Sequence, residues 1–283
     1  MGMRRKTIKA ILSRKFNEFT ASIEGENLRN MVKENSIITG GAIASMLLGE
    51  EVNDFDIYFK NSETAFAVAR YYIDRFQNDK FKTRIGELED IGGGIRIPIK
   101  YDNFVPDPME EDVEKAARTA ESAGAAGSTE KKDYRPVFIS PNCISLSNKV
   151  QLIVRFYGSP AEIHENYDFI HCTNYWDGDL VLRPDAMEAL LARELVYFGS
   201  KYPVCSLMRV RKFVQRGWKI NAGQLVKMAW QIYELNLCDP SVLEDQLVGV
   251  DTAYFQQLIF LLKEKNVKEV EGAFLFQLID EVF

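Results

Sequence analysis

Two aspartates in a short strand-like stretch carry the clearest chemical signal in this sequence. Asp54 and Asp56 are two positions apart within residues 54–59, where polar and apolar side chains alternate as in a β-strand. Side chains at i and i+2 of a strand point to the same side, so the carboxylates share one face while Phe55 and Ile57 anchor the other. Two carboxylates on one face can hold a pair of divalent ions, which stabilise the entering and leaving oxygens of a phosphoryl displacement.

A double glycine ahead of the aspartates offers a place for phosphates. Gly40 and Gly41 open a predicted compact helix over residues 42–48, which Gly49 closes. The free backbone N–H groups at a helix start suit a triphosphate, and glycine there removes the side chain that would hold the phosphates away. Ser45 lies one helical turn further on and can donate a hydrogen bond, so these residues are candidates for cradling the β and γ phosphates.

The motif as a whole resembles the signature of the polymerase β-like nucleotidyltransferases, in which two glycines, a short helix and a DxD pair follow one another. Within that superfamily it is most similar to the tRNA CCA-adding enzymes and bacterial poly(A) polymerases. The segment GGAIASMLLGEEVNDFDI keeps both glycines, the Leu47-Leu48-Gly49 turn and the DxD pair in register. It departs from those enzymes at Ala44 and Ser45, where they carry Arg-Asp. The front half also looks like nucleotidyltransferase-like proteins encoded by bacteriophages.

This resemblance implies an enzyme that transfers an NMP from an NTP to a hydroxyl acceptor and releases pyrophosphate. Asp54 and Asp56 would hold Mg²⁺ or Mn²⁺. The superfamily also uses a third carboxylate on a neighbouring strand, for which we choose Asp168, at the start of the strand-like residues 168–173. There it would bind the catalytic ion and help to deprotonate the acceptor. Two alternatives stay open, since Asp168 can equally cap a helix or begin a strand, and Asp102 is the reserve candidate.

A basic stripe on a later helix supplies further candidate contacts to the nucleotide. Arg209, Lys212 and Arg216 are spaced three and four residues apart, so they share one side of a helix predicted between Pro203 and Gly217. The helix looks like the neck helix of the CCA-adding enzymes, although their base-selecting Glu-Asp-x-x-Arg is absent here. We predict phosphate or acceptor contacts for this stripe, and a solvated helix face is the alternative.

The order of the predicted elements indicates an α+β protein. We expect a polymerase β-like nucleotidyltransferase domain with a small mixed sheet, followed by an all-helical domain. The predicted divisions are an N-terminal helical segment over 1–35, the catalytic domain over 36–180 and the helical domain over 181–283. The first helix of the last part is predicted between Pro184 and Gly199. Residues 106–133, rich in Ala, Gly, Ser and charge, are predicted to be a flexible insertion.

Composition narrows the choice of cofactor and compartment. The four cysteines are scattered without a CxxC pair and there are only two histidines, which argues against zinc and leaves carboxylates as the ligands of any metal. No stretch approaches the ~20 apolar residues that a membrane helix needs. We therefore predict a cytoplasmic protein without membrane contact. The net charge of −6 argues against general coating of nucleic acid.

Several functions remain open from the sequence. The first is an enzyme acting on an RNA 3′ end such as that of tRNA, with ATP or another NTP as donor. The second is nucleotidylation of a small molecule or a protein, which the acidic charge favours. The third is a non-catalytic binding protein that retains the fold, in which Asp168 lies apart from Asp54 and Asp56. If the motif has no function, it would be a helical hairpin in which Gly40-Gly41 forms the turn. The oligomeric state is not indicated.

Overall fold

The computed structural model describes residues 2–76, 83–101 and 133–247, together with 272–273 and 276–277. The reserve carboxylate Asp102 and the predicted insertion, apart from Asp133, lie outside the described residues. The described strands, in chain order, are β1 (Ser36–Thr39), β2 (Phe55–Phe59), β3 (Thr83–Ile85), β4 (Glu89–Asp90), β5 (Ile95–Arg96), β6 (Ile99–Tyr101), β7 (Pro136–Ile139), β8 (Cys143–Leu146), β9 (Val150–Tyr157), β10 (Tyr175–Trp176) and β11 (Leu180–Val181).

The described helices pack around these strands and include one short 3₁₀ turn, Ile170–Cys172. None of the helices in the described ranges has both the length and the apolar character to cross a membrane. In chain order they are α1 (Arg5–Ser22), α2 (Glu26–Glu34), α3 (Gly41–Leu48), α4 (Ser62–Arg75), α5 (Pro160–His164), α6 (Pro184–Ala192), α7 (Pro203–Gln215), α8 (Ala222–Tyr233) and α9 (Pro240–Leu247).

A mixed sheet positions the candidate site. Its seven strands lie in the order β11-β10-β1-β2-β9-β8-β7. β2 runs parallel to β9, and the other neighbouring pairs are antiparallel. Two small pairs, β3 with β6 and β4 with β5, stand apart from it. The α+β prediction is confirmed, and β2 lies near the middle of the sheet.

The main hydrophobic core joins the N-terminal helices to the sheet. In α1, Ile8, Leu12 and Phe19 have no exposed surface and belong to the same cluster as Ile57 of β2 and Leu152 of β9. Their spacing of four and seven residues places them on one side of the helix. Helices α1 and α2 therefore pack directly on the predicted catalytic domain.

A second cluster joins the front and rear halves of the chain. Ala44 of α3 packs with Phe169, Leu190 of α6, Trp218 and Met228 of α8. Burial of these side chains stabilises contact between α3 and the helices that follow the sheet. This contact brings α7 close to the aspartate-bearing strand.

Most predicted elements around the site are confirmed. The strand at residues 36–39 is present, and α3 ends at Gly49, whose φ of 73° suits glycine. The strand predicted at residues 168–173 is wrong, because this segment forms a bend and the 3₁₀ turn. The turn packs the ring of His171 against Trp218, with ring centroids 4.1 Å apart.

The helix predicted to run from Pro184 to Gly199 is shorter than expected. It ends at Ala192, and Arg193 adopts a left-handed conformation with φ 48°. The backbone then leaves the helix because Leu195 donates a hydrogen bond of 2.7 Å to the carbonyl oxygen of Lys219. The residues around the end of the helix do not predict this hydrogen bond, because Leu195 and Lys219 are far apart in the sequence.

Candidate functional site

Asp54 directly precedes β2, and Asp56 is the second residue of that strand. Across the sheet, Asp56 is opposite Thr39 on β1 and opposite Gln151 on β9. Both aspartates are half-buried. Because β2 is flanked on both sides, the backbone that carries Asp56 is fixed by two neighbouring strands.

The two carboxylates influence each other electrostatically. Burial raises the pKa of Asp56 well above its usual range, the charge of Asp54 raises it further, and the charge of Arg209 lowers it. Like charges in a poorly solvated place disfavour ionisation, and a bound cation reverses that effect. The pair therefore fits a divalent cation with oxygen ligands, which Mg²⁺ and Mn²⁺ prefer.

Gly40 shapes the space beside Asp56. Its φ of 100° is one that residues with side chains rarely adopt. A Cβ at this position would stand 2.8 Å from Oδ2 of Asp56 and 3.5 Å from the hydroxyl of Tyr167. We call the space bounded by Gly40, Asp56 and Tyr167 the Gly40 niche. The predicted reason for glycine at this position, absence of a side chain, agrees with this geometry.

The start of α3 lies next to the niche. Gly41 is exposed and is the first residue of α3, and a Cβ placed on it would meet no atom within 4 Å. The first N–H groups of a helix have no partner within the helix and carry partial positive charge. Ser45 is half-buried one turn further along. The structure thus places Gly40 beside Asp56, and the roles of Gly41 and Ser45 stay predictions.

Asp168 has a different set of partners from the one predicted. It is buried and forms an ion pair with Arg209. Its Oδ1 atom also accepts hydrogen bonds of 2.8 Å from the hydroxyls of Ser200 and Ser206. Within the described part of the chain, no three His, Cys, Asp or Glu side chains are grouped so that they could hold a metal. In this arrangement Asp168 is engaged by Arg209, Ser200 and Ser206, and its role as a third metal carboxylate stays a prediction.

The predicted basic stripe on α7 divides into separate environments. Arg209 pairs with Asp168, and its charge also reaches Asp56. Arg216 binds Glu50, with 2.7 Å between Nη2 and Oε2. Arg193 binds the other oxygen of Glu50 at 3.0 Å, so this carboxylate links the end of α3 to α6 and α7.

Lys212, the remaining member of the stripe, is half-buried. The charge of Arg209 lowers the pKa of Asp56. The contacts of the stripe with nucleotide or acceptor stay a prediction.

Sequence reasoning missed two tyrosines at the site. Tyr58 follows Asp56 by two positions on β2, so the same alternation that pairs the aspartates places it on their face. Burial, followed by the charge of Asp56, raises the pKa of Tyr58. Tyr167 reaches the niche from the loop after α5, and local sequence carries no signal for that contact.

The two histidines have structural surroundings. His164 Nε2 lies 2.8 Å from the hydroxyl oxygen of Thr39, and burial lowers the pKa of His164 to about 4. Burial also lowers the pKa of His171 to about 3. Both rings are therefore neutral at physiological pH and support β1 and the 3₁₀ turn.

The fold and site define an α+β protein with a pair of carboxylates beside a glycine turn and a helix N-terminus. A family model described as Gabija anti-defense 2 family protein (Gad2) matches residues 10–193. The chain belongs to the Gabija anti-defense 2 family. It is 21% identical over 266 residues to "Gabija anti-defense 2" of Bacillus phage SPbetaL7, covering 91% of this chain and 53% of that protein. The chain thus spans about half the length of this curated relative.

Similar solved structures are CCA-adding enzymes, the group that the sequence motif resembles. The Thermotoga maritima CCA-adding enzyme complexed with tRNA-CCA has a TM-score of 0.41 and 12% identity, covering 89% of this chain and 54% of that chain. The Bacillus stearothermophilus enzyme in complex with CTP has a TM-score of 0.40 and 15% identity, covering 85% of this chain and 50% of that chain.

Proposed function

We propose that this chain is a nucleotidyltransferase that counters the Gabija defence by transferring an NMP to a hydroxyl group on a component of that defence. The observation that carries this proposal is the Asp54–Asp56 pair beside Gly40. Burial and the charge of Asp54 raise the pKa of Asp56, which is the electrostatic condition that a divalent cation relieves. Gly40 keeps the adjacent space free of a side chain.

Two protein carboxylates are sufficient for a metal that arrives with its substrate. Mg²⁺ is commonly bound through one or two carboxylates together with substrate phosphates and waters. When bound, the metal supplies neutralisation of charge on the reacting phosphates and orients them. The absence of a third carboxylate from the described cluster therefore does not conflict with an Mg²⁺–triphosphate complex held by Asp54 and Asp56.

The remaining work is done by groups of this chain. The N–H groups at the start of α3 face a triphosphate placed over Gly40 and Gly41, and the charge of Arg209 offsets negative charge at the same site. An acceptor hydroxyl oxygen bonds to the α-phosphorus, the bond to the pyrophosphate oxygen breaks, and the acceptor proton passes to water. Catalysis of this kind rests on positioning and charge neutralisation.

The family to which the chain belongs favours an acceptor within the Gabija defence over a general RNA acceptor. Members of this family are described by their action against that defence. The net charge of −6 also disfavours broad contact with RNA phosphates. An RNA 3′ end therefore becomes the alternative that the following experiment has to separate.

The test incubates purified protein and Mg²⁺ with each α-³²P-labelled NTP and lysate from bacteria with or without Gabija. We expect label in a macromolecule only when Gabija is present, and none with Asp54→Asn/Asp56→Asn. The variant Glu24→Gln/Glu26→Gln removes two surface carboxylates away from the site and should behave as wild type. Equal labelling by the Asp54/Asp56 variant would contradict the enzymatic proposal. Label in RNA from both lysates would favour the RNA acceptor.

A non-catalytic binding protein is the second candidate, and the partners of Asp168 favour it. That carboxylate is occupied by Arg209, Ser200 and Ser206. Phage plating on Gabija-carrying bacteria separates the candidates when wild type and Asp54→Asn/Asp56→Asn are produced to equal levels. Counter-defence that survives in the variant supports binding alone, whereas its loss with an intact fold supports catalysis.

A further inference from the structure

The Gly40 niche contains a hydroxyl group without a hydrogen-bond partner. The hydroxyl oxygen of Tyr167 is buried, and among the described residues nothing donates to it or accepts from it with hydrogen-bonding geometry. It lies 3.5 Å from the position of a Cβ on Gly40, and Oδ2 of Asp56 lies 2.8 Å from that same position. The hydroxyl and the carboxylate thus border one small space.

Neighbouring hydroxyls do not satisfy Tyr167. The hydroxyl of Thr39 is engaged with Nε2 of His164 at 2.8 Å and with the carbonyl oxygen of Asn174 at 3.0 Å. Tyr58 is near enough to affect the pKa of Tyr167, with ring centroids 6.0 Å apart. The hydroxyls of Thr39 and Tyr58 are close enough to influence the pKa of Tyr167, but neither is oriented for a hydrogen bond to its hydroxyl.

An unsatisfied buried hydroxyl is costly. Leaving a buried donor or acceptor without a partner costs about 1–3 kcal/mol, so native proteins keep such groups where a ligand or water completes them. A tyrosine hydroxyl with a pKa near or above ~10 is neutral at physiological pH and carries a proton to donate. The niche therefore offers a hydrogen-bond donor beside a carboxylate pair suited to a cation.

We propose that Tyr167 is a positioning residue whose hydroxyl donates a hydrogen bond to a phosphate oxygen of the bound nucleotide. This inference rests on the proposed function of the same site. A phosphate fits best because a cation held by Asp56, the N–H groups at the start of α3 and the hydroxyl of Tyr167 would each favour an anionic oxygen. The absence of a side chain on Gly40 provides the room for that oxygen.

The test compares Tyr167→Phe with Tyr72→Phe. Tyr72 is a matched control, since its hydroxyl is also buried without a partner but lies on α4, in the main core. Both variants lose an unsatisfied hydroxyl, so both should unfold at the wild-type temperature or slightly above it. Affinity is measured calorimetrically for Mg²⁺ with inorganic tripolyphosphate, and for Mg²⁺ with each non-hydrolysable NTP analogue.

For Tyr167→Phe we expect affinity for both probes to fall about tenfold or more, as loss of a hydrogen bond to a charged group implies. Tyr72→Phe should bind both as wild type does. Unchanged affinity in Tyr167→Phe overturns the inference, and so does a loss confined to the NTP analogues, which would place the contact on sugar or base. If the wild type binds neither probe, the proposed function itself fails, and this inference fails with it.

Discussion

Arg209 holds Asp168 in an ion pair that connects α7 to the loop before the 3₁₀ turn. Ser200 and Ser206 donate to the same carboxylate, so Asp168 has three partners. The charge of Arg209 also lowers the pKa of Asp56, against the effects of burial and Asp54. One arginine therefore acts on both the buried network of Asp168 and the carboxylate pair of β2.

This network predicts that Asp168→Ala destabilises the fold. The change removes the carboxylate to which Arg209, Ser200 and Ser206 all bind. Breaking a fully buried ion pair costs about 3–5 kcal/mol. The side chain of Arg209 is 40% exposed and can return to water, so we expect a smaller loss of about 1–3 kcal/mol in the free energy of unfolding. Urea unfolding measures it.

The control for this prediction is Asp179→Ala, which removes an exposed carboxylate paired with Lys9. It should change the free energy of unfolding by much less. If Asp168→Ala instead unfolds as wild type does but loses Mg²⁺ binding, then Asp168 serves the metal, as the sequence-based interpretation proposed.

The ionised carboxylate of Asp56 should lower the stability of the folded protein when no cation is bound. Its folded-state pKa is raised, first by burial and then by Asp54. A group of this kind contributes stability below its unfolded pKa of about 3.9, and the contribution is lost as pH rises through the folded pKa. Asp56→Asn should therefore melt about 2–4 °C higher than wild type at pH 7.5 in EDTA, the shift that roughly 1 kcal/mol produces.

The difference between Asp56→Asn and wild type should shrink as pH falls toward 4, because the carboxyl of Asp56 then takes up its proton. Glu89→Gln, at an exposed position on β4, is the matched control and should show no such pH-dependent gain. Mg²⁺ should raise the melting temperature of wild type and leave Asp56→Asn unchanged. A variant that melts below wild type in EDTA at pH 7.5 would contradict this account of the pair.

Gly40 and Gly41 should respond differently to alanine. At Gly40 the added Cβ stands 2.8 Å from Asp56 Oδ2 on a backbone with φ 100°, so we expect Gly40→Ala to lose about 1–3 kcal/mol of stability and most of the affinity for Mg²⁺-tripolyphosphate. At Gly41 the added Cβ meets no atom within 4 Å. Gly41→Ala should therefore keep the stability of the fold.

Thermal unfolding and calorimetry test both variants side by side. If Gly41→Ala keeps its fold but loses affinity for tripolyphosphate, Gly41 itself borders the phosphates. Equal stability of the two variants would contradict the close approach of Gly40 to Asp56.

The parts of the site that follow from local rules could be predicted from sequence. The alternation of residues 54–59 predicts the strand β2 that carries Asp56, and Gly49 follows the end of α3 because glycine accepts φ 73° there. These features depend on neighbours within a few residues. The pattern of the sequence therefore contained them.

The rest depends on contacts between residues far apart in the chain. Asp168 and Arg209 are 41 positions apart, and Tyr167 meets Gly40 across more than a hundred. Such pairs leave no periodic signal. Asp168 looked like the first residue of a strand because apolar residues follow it, but packing of His171 against Trp218 and Phe213 favours a 3₁₀ turn instead.

The ion pair of Arg216 with Glu50 bears on the choice of acceptor. Arg216 binds Glu50 at 2.7 Å, so it already has an anionic partner on the protein. We expect Lys212→Ala/Arg216→Ala to leave the affinity for tRNA, and its dependence on salt, as in wild type. An RNA acceptor lying along α7 predicts weaker binding and a salt slope reduced by about one for each lost phosphate contact.

Fluorescence polarisation with labelled tRNA distinguishes the two expectations. The salt concentration is varied between about 50 and 200 mM, a range over which phosphate contacts weaken markedly. Lys201→Ala/Lys219→Ala, at exposed positions outside the stripe, controls for the loss of two positive charges. A reduced slope in the first variant alone would return RNA to the list of acceptors and would mean that Arg216 exchanges Glu50 for a phosphate.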